Sequence, residues 1–325
     1  MFQEKRSLDD IINDLVDPSG HGHNVTCHDV TERLEAKFGE FPQNLHPALQ
    51  GALVQLNIQK PYSHQAEALE LVRDGEHVVL TTPTASGKSL CYNIPVLERI
   101  LNEPESRALY VFPTKALSQD QYNTVHALIE ATGVDIGTFT FDGDTPPDAR
   151  RAVRDHGHVV ITNPDMLHSG ILPQHTKWLK LFENLKYVVI DELHSYRGIF
   201  GSHVSNLMSR LRRVCNFYGS NPQFILCSAT IANPKELGQA LTGIEPRLIG
   251  ESGAPRGERH FIAYNPPVVN AQLGIRAGVI RTAHNVAKEL ITEGISTIVF
   301  AGSRLHVEVI LKYLRESLVK ADLNP

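Results

Sequence analysis

A loop that ends in Gly-Lys-Ser contains the residues with the clearest chemical potential. It spans residues 82–89, follows the apolar run 78–80 and precedes a helix-compatible segment, 90–101. Backbone N–H groups in such a loop, together with the N-terminus of the next helix, attract anions. A lysine at this position reaches the β- and γ-phosphates of a nucleotide, and the next hydroxyl binds Mg²⁺. The predicted phosphate contacts are Thr84, Ala85, Ser86, Gly87, Lys88 and Ser89, with Ser89 also a magnesium ligand.

Two adjacent carboxylates, Asp191 and Glu192, provide the second chemical element. They directly follow the apolar run 187–190, and open α/β sheets bind ligands where their strands end. Asp191 is predicted to hold Mg²⁺ through water opposite Ser89. Glu192 is predicted to orient or deprotonate the water that attacks a γ-phosphate. We therefore predict Lys88, Asp191 and Glu192 as the catalytic residues.

Each of these elements also has a simpler interpretation. The usual phosphate loop begins with glycine six residues before its lysine, and this chain has Thr82 there. An ordinary turn between a strand and a helix would explain the loop alone. An acidic helix cap would explain Asp191 and Glu192 alone. Their joint occurrence in one alternating pattern favours the nucleotide site.

Short apolar segments alternate with longer helical patterns from residue 62 onward. The segments are rich in Val, Ile and Phe and apolar on both faces, as buried parallel strands are. This pattern predicts an α/β fold with a doubly wound, mostly parallel sheet. The predicted strands are 77–82, 108–112, 137–141, 158–162, 187–190 and 224–227, and the predicted helices include 115–132, 201–217 and 234–241.

Composition shifts predict four regions along the chain. Residues 1–55 are an accessory helical segment with helices at 9–16 and 29–38, and residues 56–250 are the nucleotide-binding lobe. The small and polar stretch 251–269 is a linker. Residues 270–325 carry one strand, 297–301, between two helices. Since a single strand cannot bury its faces, we expect the opening of a second α/β lobe that is cut short.

Charge and cysteine content narrow the class of protein. The formal net charge of −5 gives no global basic signature, so nucleic acid would have to bind in a local groove. No apolar run approaches about 18 residues and no signal-peptide core is present, which predicts a cytoplasmic protein without a membrane segment. The four cysteines form no Cys-x-x-Cys pair. The cluster His21, His23, Cys27 and His28 has zinc-compatible ligands, but a polar loop is the favoured interpretation.

The chain resembles superfamily 2 helicases of the DExH type. The resemblance rests on Asp-Glu-Leu-His at 191–194 and Ser-Ala-Thr at 228–230, which occur in order after the phosphate loop. It implies a RecA-like lobe that binds ATP and Mg²⁺. It assigns the adenine contacts to Tyr62 and Gln65, and the coupling between nucleotide and nucleic acid to His194, Ser228 and Thr230.

Further strand-end segments resemble the motifs that bind the nucleic-acid backbone in this family. Hydroxyls, amides and helix N-termini at such positions bind phosphates without reading bases. Residues 140–144 occupy the place of an intervening strand-end loop. Each segment alone is better explained as an ordinary helix start, and it is their order and shared sheet edge that favour the family interpretation. The residues implied are Pro113, Thr114, Lys115, Asn163, Pro164, Asp165, Ser303 and Arg304.

Longer stretches, among them 62–68 and 191–203, resemble the MrfA/YprA group of helicases. That resemblance implies ATP-dependent, 3′-to-5′ movement on single-stranded or partly duplex DNA, an association with DNA repair, and a DNA contact at Arg197. The motifs leave RNA open as a substrate. Arg210, Arg212 and Arg213 follow on a predicted helix. We interpret this cluster as a solvated helix face, with DNA contact as the alternative.

The resemblance also implies late second-lobe motifs with arginines that reach the γ-phosphate, and the sequence ends at Pro325 before them. We therefore expect an ATP- and DNA-binding part of a longer helicase that turns ATP over weakly by itself. One alternative is a nucleotide-dependent nucleic-acid-binding or regulatory module without robust ATPase. The other is an RNA helicase. The sequence points to no protein partner.

Overall fold

The computed structural model describes residues 5–20 and 22–320, which form two compact units. One unit is continuous and spans Glu35–Arg256. The other combines residues up to 34 with residues from 257 onward. The described residues contain no helix long and apolar enough to cross a membrane. His21, one of the predicted zinc-compatible residues, lies outside the described residues.

Eleven strands occur in the described part of the chain. In chain order they are β1 (Val25–Thr31), β2 (Val78–Thr81), β3 (Arg107–Val111), β4 (Thr138–Phe141), β5 (Val159–Thr162), β6 (Leu185–Ile190), β7 (Gln223–Ser228), β8 (Arg247–Ile249), β9 (Arg259–Tyr264), β10 (Val268–Asn270) and β11 (Ile275–Arg276).

Twelve α-helices occur there as well. They are α1 (Leu8–Val16), α2 (Pro47–Gln55), α3 (Ser63–Arg73), α4 (Lys88–Asn102), α5 (Lys115–Thr132), α6 (Pro147–His156), α7 (Pro164–Met166), α8 (Leu179–Asn184), α9 (Gly198–Phe217), α10 (Pro234–Thr242), α11 (Val279–Thr292) and α12 (Arg304–Lys320).

Seven parallel strands form the sheet of the continuous unit, in the order β4-β5-β3-β6-β7-β2-β8. Strands β2, β3 and β5 are buried along their whole length, so helices must cover both faces. One face packs against α2, α3, α4 and α5, and the other packs against the segments from α7 to α10. The predicted doubly wound parallel sheet is confirmed.

The remaining unit is built from local pairs. Strand β1 pairs with β9 in an antiparallel ribbon, and β10 pairs with β11. Helices α11 and α12 pack through Ala287, Ile310 and Leu314. The predicted strand 297–301 forms no ladder with another described strand, although Val299 and Ala301 pack against these helices.

The structure differs from the sequence-based boundaries in the N-terminal region. The predicted helix 29–38 is wrong, because residues 25–31 form β1, whose partner β9 is more than 200 residues away in sequence. Helix α2, which begins at Pro47, lies outside the two helices predicted for residues 1–55. Pro47 is the first residue of that helix, where a proline's missing N–H costs nothing.

The predicted boundaries at 55 and 250 also move. Leu49 and Leu53 of α2 belong to the core of the seven-stranded unit, so that unit begins before residue 56. The predicted linker 251–269 is not a linker throughout. The Gly253 N–H donates to the buried His64 Nδ1 at 3.1 Å, and residues 259–264 form β9.

Candidate functional site

The predicted site residues of the seven-stranded unit collect at one edge of the sheet, because parallel strands share the edge where they end. The phosphate loop follows β2, and Asp191 follows β6. Strand β7, which ends at Ser228, lies between them. The predicted nucleic-acid segments follow β3, β5 and β4, on the other half of the same edge. The sheet order therefore separates the predicted nucleotide residues from the predicted nucleic-acid segments, and we call these two parts of the edge the nucleotide half and the nucleic-acid half.

The phosphate loop is held in its shape by its own backbone and hydroxyls. Ala85 and Gly87 both adopt left-handed backbone conformations, with φ of 61° and 77°. Such a conformation costs a non-glycine residue about 1–3 kcal/mol and is concentrated at ligand-binding segments. Thr82 Oγ1 and Ser86 Oγ are 2.6 Å apart. Thr84 is exposed and Ser89 is half-buried at the start of α4. The loop is thus a preformed turn with a strained residue at its apex.

Lys88 lies inside this turn. Its ammonium donates to the Thr82 and Pro83 carbonyls, each at 2.9 Å. These carbonyls hold the cation where an anion entering the loop would meet it. Burial raises the pKa of Asp191, and the positive charge of Lys88 counteracts part of that rise.

Gln65 of α3 forms a hydrogen bond with the backbone of the phosphate loop. Its Nε2 donates to the Gly87 carbonyl at 2.9 Å, and its Oε1 accepts from the Tyr62 N–H at 2.8 Å. Gly87 is favoured by its φ of 77°, and a Cβ there would lie 2.6 Å from Gln65 Nε2 and displace that side chain. Tyr62 stacks against Phe38 with ring centroids 5.4 Å apart. Phe38 is 57% exposed and offers a flat apolar face beside Gln65.

Asp191 is a buried carboxylate with few partners. Its Oδ1 accepts from the Glu192 N–H at 2.7 Å, and its Oδ2 is 3.4 Å from the Tyr92 hydroxyl, which donates more closely to Gln121. Burial holds the pKa of Asp191 above its ordinary value. Tyr92 lies one turn after Ser89 on α4, so the contact brings the start of that helix to the end of β6. A buried, weakly neutralised carboxylate close to the helix that begins with Lys88 and Ser89 fits Mg²⁺, which takes few protein ligands beside phosphate and water.

Glu192 and His194 form a pair next to Asp191. Glu192 has a left-handed backbone conformation, with φ of 53°, which directs the chain into a turn after β6. Its Oε2 lies 3.2 Å from His194 Nδ1. The Ala229 N–H points at the same nitrogen from 3.4 Å. Nδ1 can donate to the carboxylate or accept from the amide, but a single nitrogen cannot do both.

The two hydroxyls around Ala229 are in different environments. Ser228 is fully buried, and its Oγ has no hydrogen-bond partner among the described residues, whereas Thr230 is exposed. Buried hydroxyls are normally satisfied, so one without a partner marks a strained or functional position. Ser228 therefore has a free hydrogen-bonding group within the nucleotide half of the edge, between the phosphate loop and Asp191.

The predicted nucleic-acid segments are helix starts with side-chain caps. Thr114 Oγ1 accepts from Leu117 N–H at 3.3 Å at the start of α5, and Asn163 Oδ1 accepts from Met166 N–H at 2.9 Å at α7. Lys115 forms an ion pair with Asp144 of the neighbouring loop. The other implied residues of this unit differ in exposure: Pro164 is buried, Pro113 is half-buried, and Asp165 and Arg197 are exposed.

Ser303 and Arg304 lie in the other compact unit. Ser303 Oγ accepts from the His306 N–H at 3.2 Å and so caps the first turn of α12. Arg304 is exposed at the start of that helix. Their nucleic-acid role remains a prediction from resemblance.

Three side chains of the site escaped the sequence analysis. His64 is 1% exposed and accepts from the Gly253 N–H, and burial lowers its pKa. Phe38 and Tyr92 complete the aromatic stack and the contact with Asp191. The adjacency of His64 to Gln65 was a usable signal. No sequence signal pointed to Phe38 or Tyr92, because only the folded chain brings these residues to the site.

Replacing Asp191 by asparagine should stabilise the protein while weakening Mg²⁺ binding. A carboxyl whose pKa is raised in the folded state reduces stability once the pH exceeds its unfolded value of about 4. We therefore expect a higher melting temperature than wild type at pH 7 without metal, and convergence of the two near pH 3. Thermal unfolding with EDTA and with Mg²⁺ and an ATP analogue measures both effects. Equal melting temperatures at pH 7 would contradict the assigned burial cost.

The fold and the phosphate loop together define the class of nucleotide-binding protein to which the chain belongs. A parallel sheet whose loop ends in Gly-Lys-Ser at a helix N-terminus is the arrangement of phosphate-loop nucleotide-binding proteins. Within that class, the DEAD/DEAH box helicase family model matches residues 62–237. The chain belongs to the DEAD/DEAH box helicase family.

Individual relatives agree with this assignment. The chain is 52% identical over 321 residues to the uncharacterised ATP-dependent helicase YprA of Bacillus subtilis, which covers 99% of this chain and 42% of that protein. It is 40% identical to the ATP-dependent helicase HRQ1 of Saccharomyces cerevisiae, over 80% of this chain and 24% of HRQ1. The chain thus spans less than half the length of these curated relatives.

Solved structures give the same picture. The crystal structure of the DUF1998 helicase MrfA bound to DNA and AMPPNP superimposes with a TM-score of 0.92 at 52% identity. The match covers 97% of this chain and 43% of MrfA. A Mycobacterium smegmatis Lhr helicase structure shares the fold, with a TM-score of 0.70 at 22% identity. The resemblance to the MrfA/YprA group is confirmed.

Proposed function

We propose that this chain is the ATP- and DNA-binding part of an ATP-dependent DNA helicase or translocase. The observation that carries the proposal is the single sheet edge on which the phosphate loop, Asp191 and Glu192 adjoin the segments after β3, β5 and β4. The DNA and AMPPNP named for the MrfA structure support the same ligands here. The activity of a whole protein of the relatives' length is part of this proposal.

ATP would bind with its phosphates in the loop at residues 82–89. Lys88 would exchange the Thr82 and Pro83 carbonyls for phosphate oxygens, a shift that needs only rotation of its flexible side chain. Ser89 and Asp191 would hold Mg²⁺, which supplies positive charge that stabilises the transferring phosphoryl group. Tyr62 and Phe38 offer the adenine an apolar face beside Gln65.

Glu192 would act on the attacking water. Its carboxylate takes a proton as the water oxygen attacks the γ-phosphorus, and the bond to the β-γ bridging oxygen breaks to leave ADP. His194 contacts Glu192 or the Ala229 amide through one nitrogen. A change at the γ-phosphate can therefore alter the contact between His194 and the Ala229 amide, and with it the positions of Ser228 and Thr230 at the end of β7. Strand β6, which precedes Glu192 and His194, borders β3 of the nucleic-acid half. This contact switch is our proposed coupling between the nucleotide and DNA.

Movement along DNA is proposed by analogy with the family. Phosphate contacts at the strand ends would make binding salt-dependent and largely independent of sequence. We propose 3′-to-5′ movement and a role in DNA repair from the family resemblance. A cytoplasmic location is proposed as the default that the sequence suggests. Since the relatives extend well beyond the matched stretch, we expect slow ATP turnover by this chain alone. That same observation favours a nucleotide-dependent binding or regulatory module as the second candidate.

Nucleic-acid binding by this chain tests the substrate. Fluorescence anisotropy with single-stranded DNA and with RNA of the same sequence should show tighter binding of DNA in the presence of Mg²⁺ and AMPPNP. Tighter binding of RNA would instead favour an RNA helicase, and rapid ATP turnover by the 325 residues alone would exclude the regulatory module. Binding of neither nucleic acid would contradict the proposed function.

A further inference from the structure

A groove runs beside α9 from the nucleic-acid half of the sheet edge. The part of the groove next to the sheet edge is a cavity of about 550 Å³ between α9 and the segment that starts with Pro164 and Asp165. The other part of the groove is a cavity of about 270 Å³ that ends at Phe217, the last residue of α9. Arg210 and Arg213 line both cavities, so the two form one continuous α9 groove.

The spacing of residues on α9 makes this groove a regular stripe. Its lining residues on the helix include Phe200, His203, Leu207, Arg210, Arg213 and Phe217, whose numbers differ by three or four. Residues three or four apart lie on one helix face, and the stripe is about 26 Å long. Phe200 is 42% exposed and Phe217 is 75% exposed, so neither is a core residue. Aromatic side chains therefore stand at both ends of the stripe with cations between them.

The structure separates the three arginines of this helix by role. The Arg212 guanidinium donates to the Thr242 carbonyl at 3.1 Å, at the end of α10, and so serves the fold. Arg210 and Arg213 have no hydrogen-bond or ion-pair partner among the described residues. Asp165 is the one acidic residue that lines the groove within the described part of the chain. The groove consequently carries net positive charge.

We propose that the α9 groove binds single-stranded DNA that continues from the segment Asn163-Pro164-Asp165. Arg210 and Arg213 would bind phosphates, and a base would pack against Phe200 and Leu207 in the larger cavity. Aromatic platforms combined with cations are the usual means of binding single strands without reading sequence. This inference rests on the proposed function. It extends the proposed DNA-binding surface from the sheet edge along α9.

An acidic protein segment is the competing occupant. Its carboxylates would also suit the arginines, and the apolar floor would suit hydrophobic side chains. Two observations favour DNA. The groove begins at a segment that the family resemblance assigns to nucleic acid, and its aromatic and cationic side chains follow one line, as the bases and phosphates of a strand require.

The test compares a short and a long DNA strand on the complete 325-residue chain. Oligonucleotides of about 6 and about 16 nucleotides span the site sizes of single-strand binders, and the longer one reaches the groove. Arg213→Glu should weaken binding of the longer strand about tenfold. It should also lower the salt slope by about 0.7 for each phosphate that the protein no longer neutralises. Lys186→Glu is the control, because it changes the charge equally but lies at the start of β6, on the opposite edge of the sheet.

Phe200→Ala is the second variant, since it leaves the charge unchanged. Loss of one stacked base should weaken binding of the longer strand about fivefold or more, with unchanged affinity for the shorter strand and for AMPPNP. Equal affinities of wild type, Arg213→Glu and Phe200→Ala for the longer strand would overturn the groove proposal alone and leave the groove to a protein segment. Failure of the wild-type chain to bind either strand would overturn the proposed function as well.

Discussion

Replacing Glu192 by glutamine should slow ATP turnover by about 10²–10⁴-fold, the usual contribution of a positioned general base. The amide keeps the shape of the carboxylate but cannot take a proton from water. It can still contact His194, which lies 3.2 Å from the wild-type oxygen. Affinity for AMPPNP should therefore stay close to wild type. Steady-state ATPase assays with calorimetric titration of AMPPNP measure the two effects separately.

Glu130→Gln is the matched control for this variant. Glu130 is exposed near the end of α5 and contacts the exposed His126. Its replacement removes the same charge far from the ends of β2 and β6, and should leave turnover unchanged. Equal turnover by Glu192→Gln and wild type would show that another group activates the water. Loss of AMPPNP binding would show that Glu192 holds the site together rather than acting in the reaction.

Replacing Lys88 by alanine should weaken binding of Mg²⁺·AMPPNP by about 10²-fold or more, the scale expected when one partner of a hydrogen-bonded charge pair is removed. In the structure the ammonium is held by the Thr82 and Pro83 carbonyls, a pair of acceptors that also keeps it near the phosphate position. Its removal leaves the loop at residues 82–89 without its full positive charge. Calorimetry with AMPPNP provides the measurement.

Lys186→Ala controls for loss of a lysine on the opposite edge of the sheet. Lys186 is 40% exposed and reaches Glu103 at 3.8 Å, so its loss should alter neither nucleotide affinity nor folding. Circular dichroism should show that Lys88→Ala folds, because the fold depends on the buried strands rather than on the loop. Undiminished nucleotide affinity in Lys88→Ala would place the phosphates outside the loop at residues 82–89.

Buried parallel strands and the loop were predictable because their signals are local. The run of Val78, Val79 and Leu80 before Gly-Lys-Ser indicates a strand, a loop and a helix within a short window, and helix α5 begins and ends where predicted. Strand β8 was missed because three residues at the edge of a sheet give too little pattern. Strand β1 was missed because its partner β9 is distant in sequence, and local periodicity carries no information about such a pairing.

The candidate site was predictable in its residue types but not in its contacts. Lys88, Asp191 and Glu192 follow strands whose ends must meet at one edge. No sequence rule indicates that Gln65 binds the Gly87 carbonyl or that Tyr92 reaches Asp191. These contacts depend on how α3, α4 and β6 pack.

The arginines of α9 show the same limit. The sequence places Arg210, Arg212 and Arg213 on one helix but does not distinguish them. Their roles separated only because the folded chain brings Arg212 to the Thr242 carbonyl at the end of α10. The direction in which each arginine points depends on the packing of α9 against α10, which local sequence does not specify.

The central claim is that the two halves of one sheet edge convert ATP hydrolysis into action on DNA. The most direct test uses a protein of the relatives' length that includes this chain. Its ATP turnover is measured with and without single-stranded DNA. We predict that single-stranded DNA raises the turnover rate and that Glu192→Gln abolishes both the basal and the stimulated rates. A turnover rate that single-stranded DNA leaves unchanged would contradict the account.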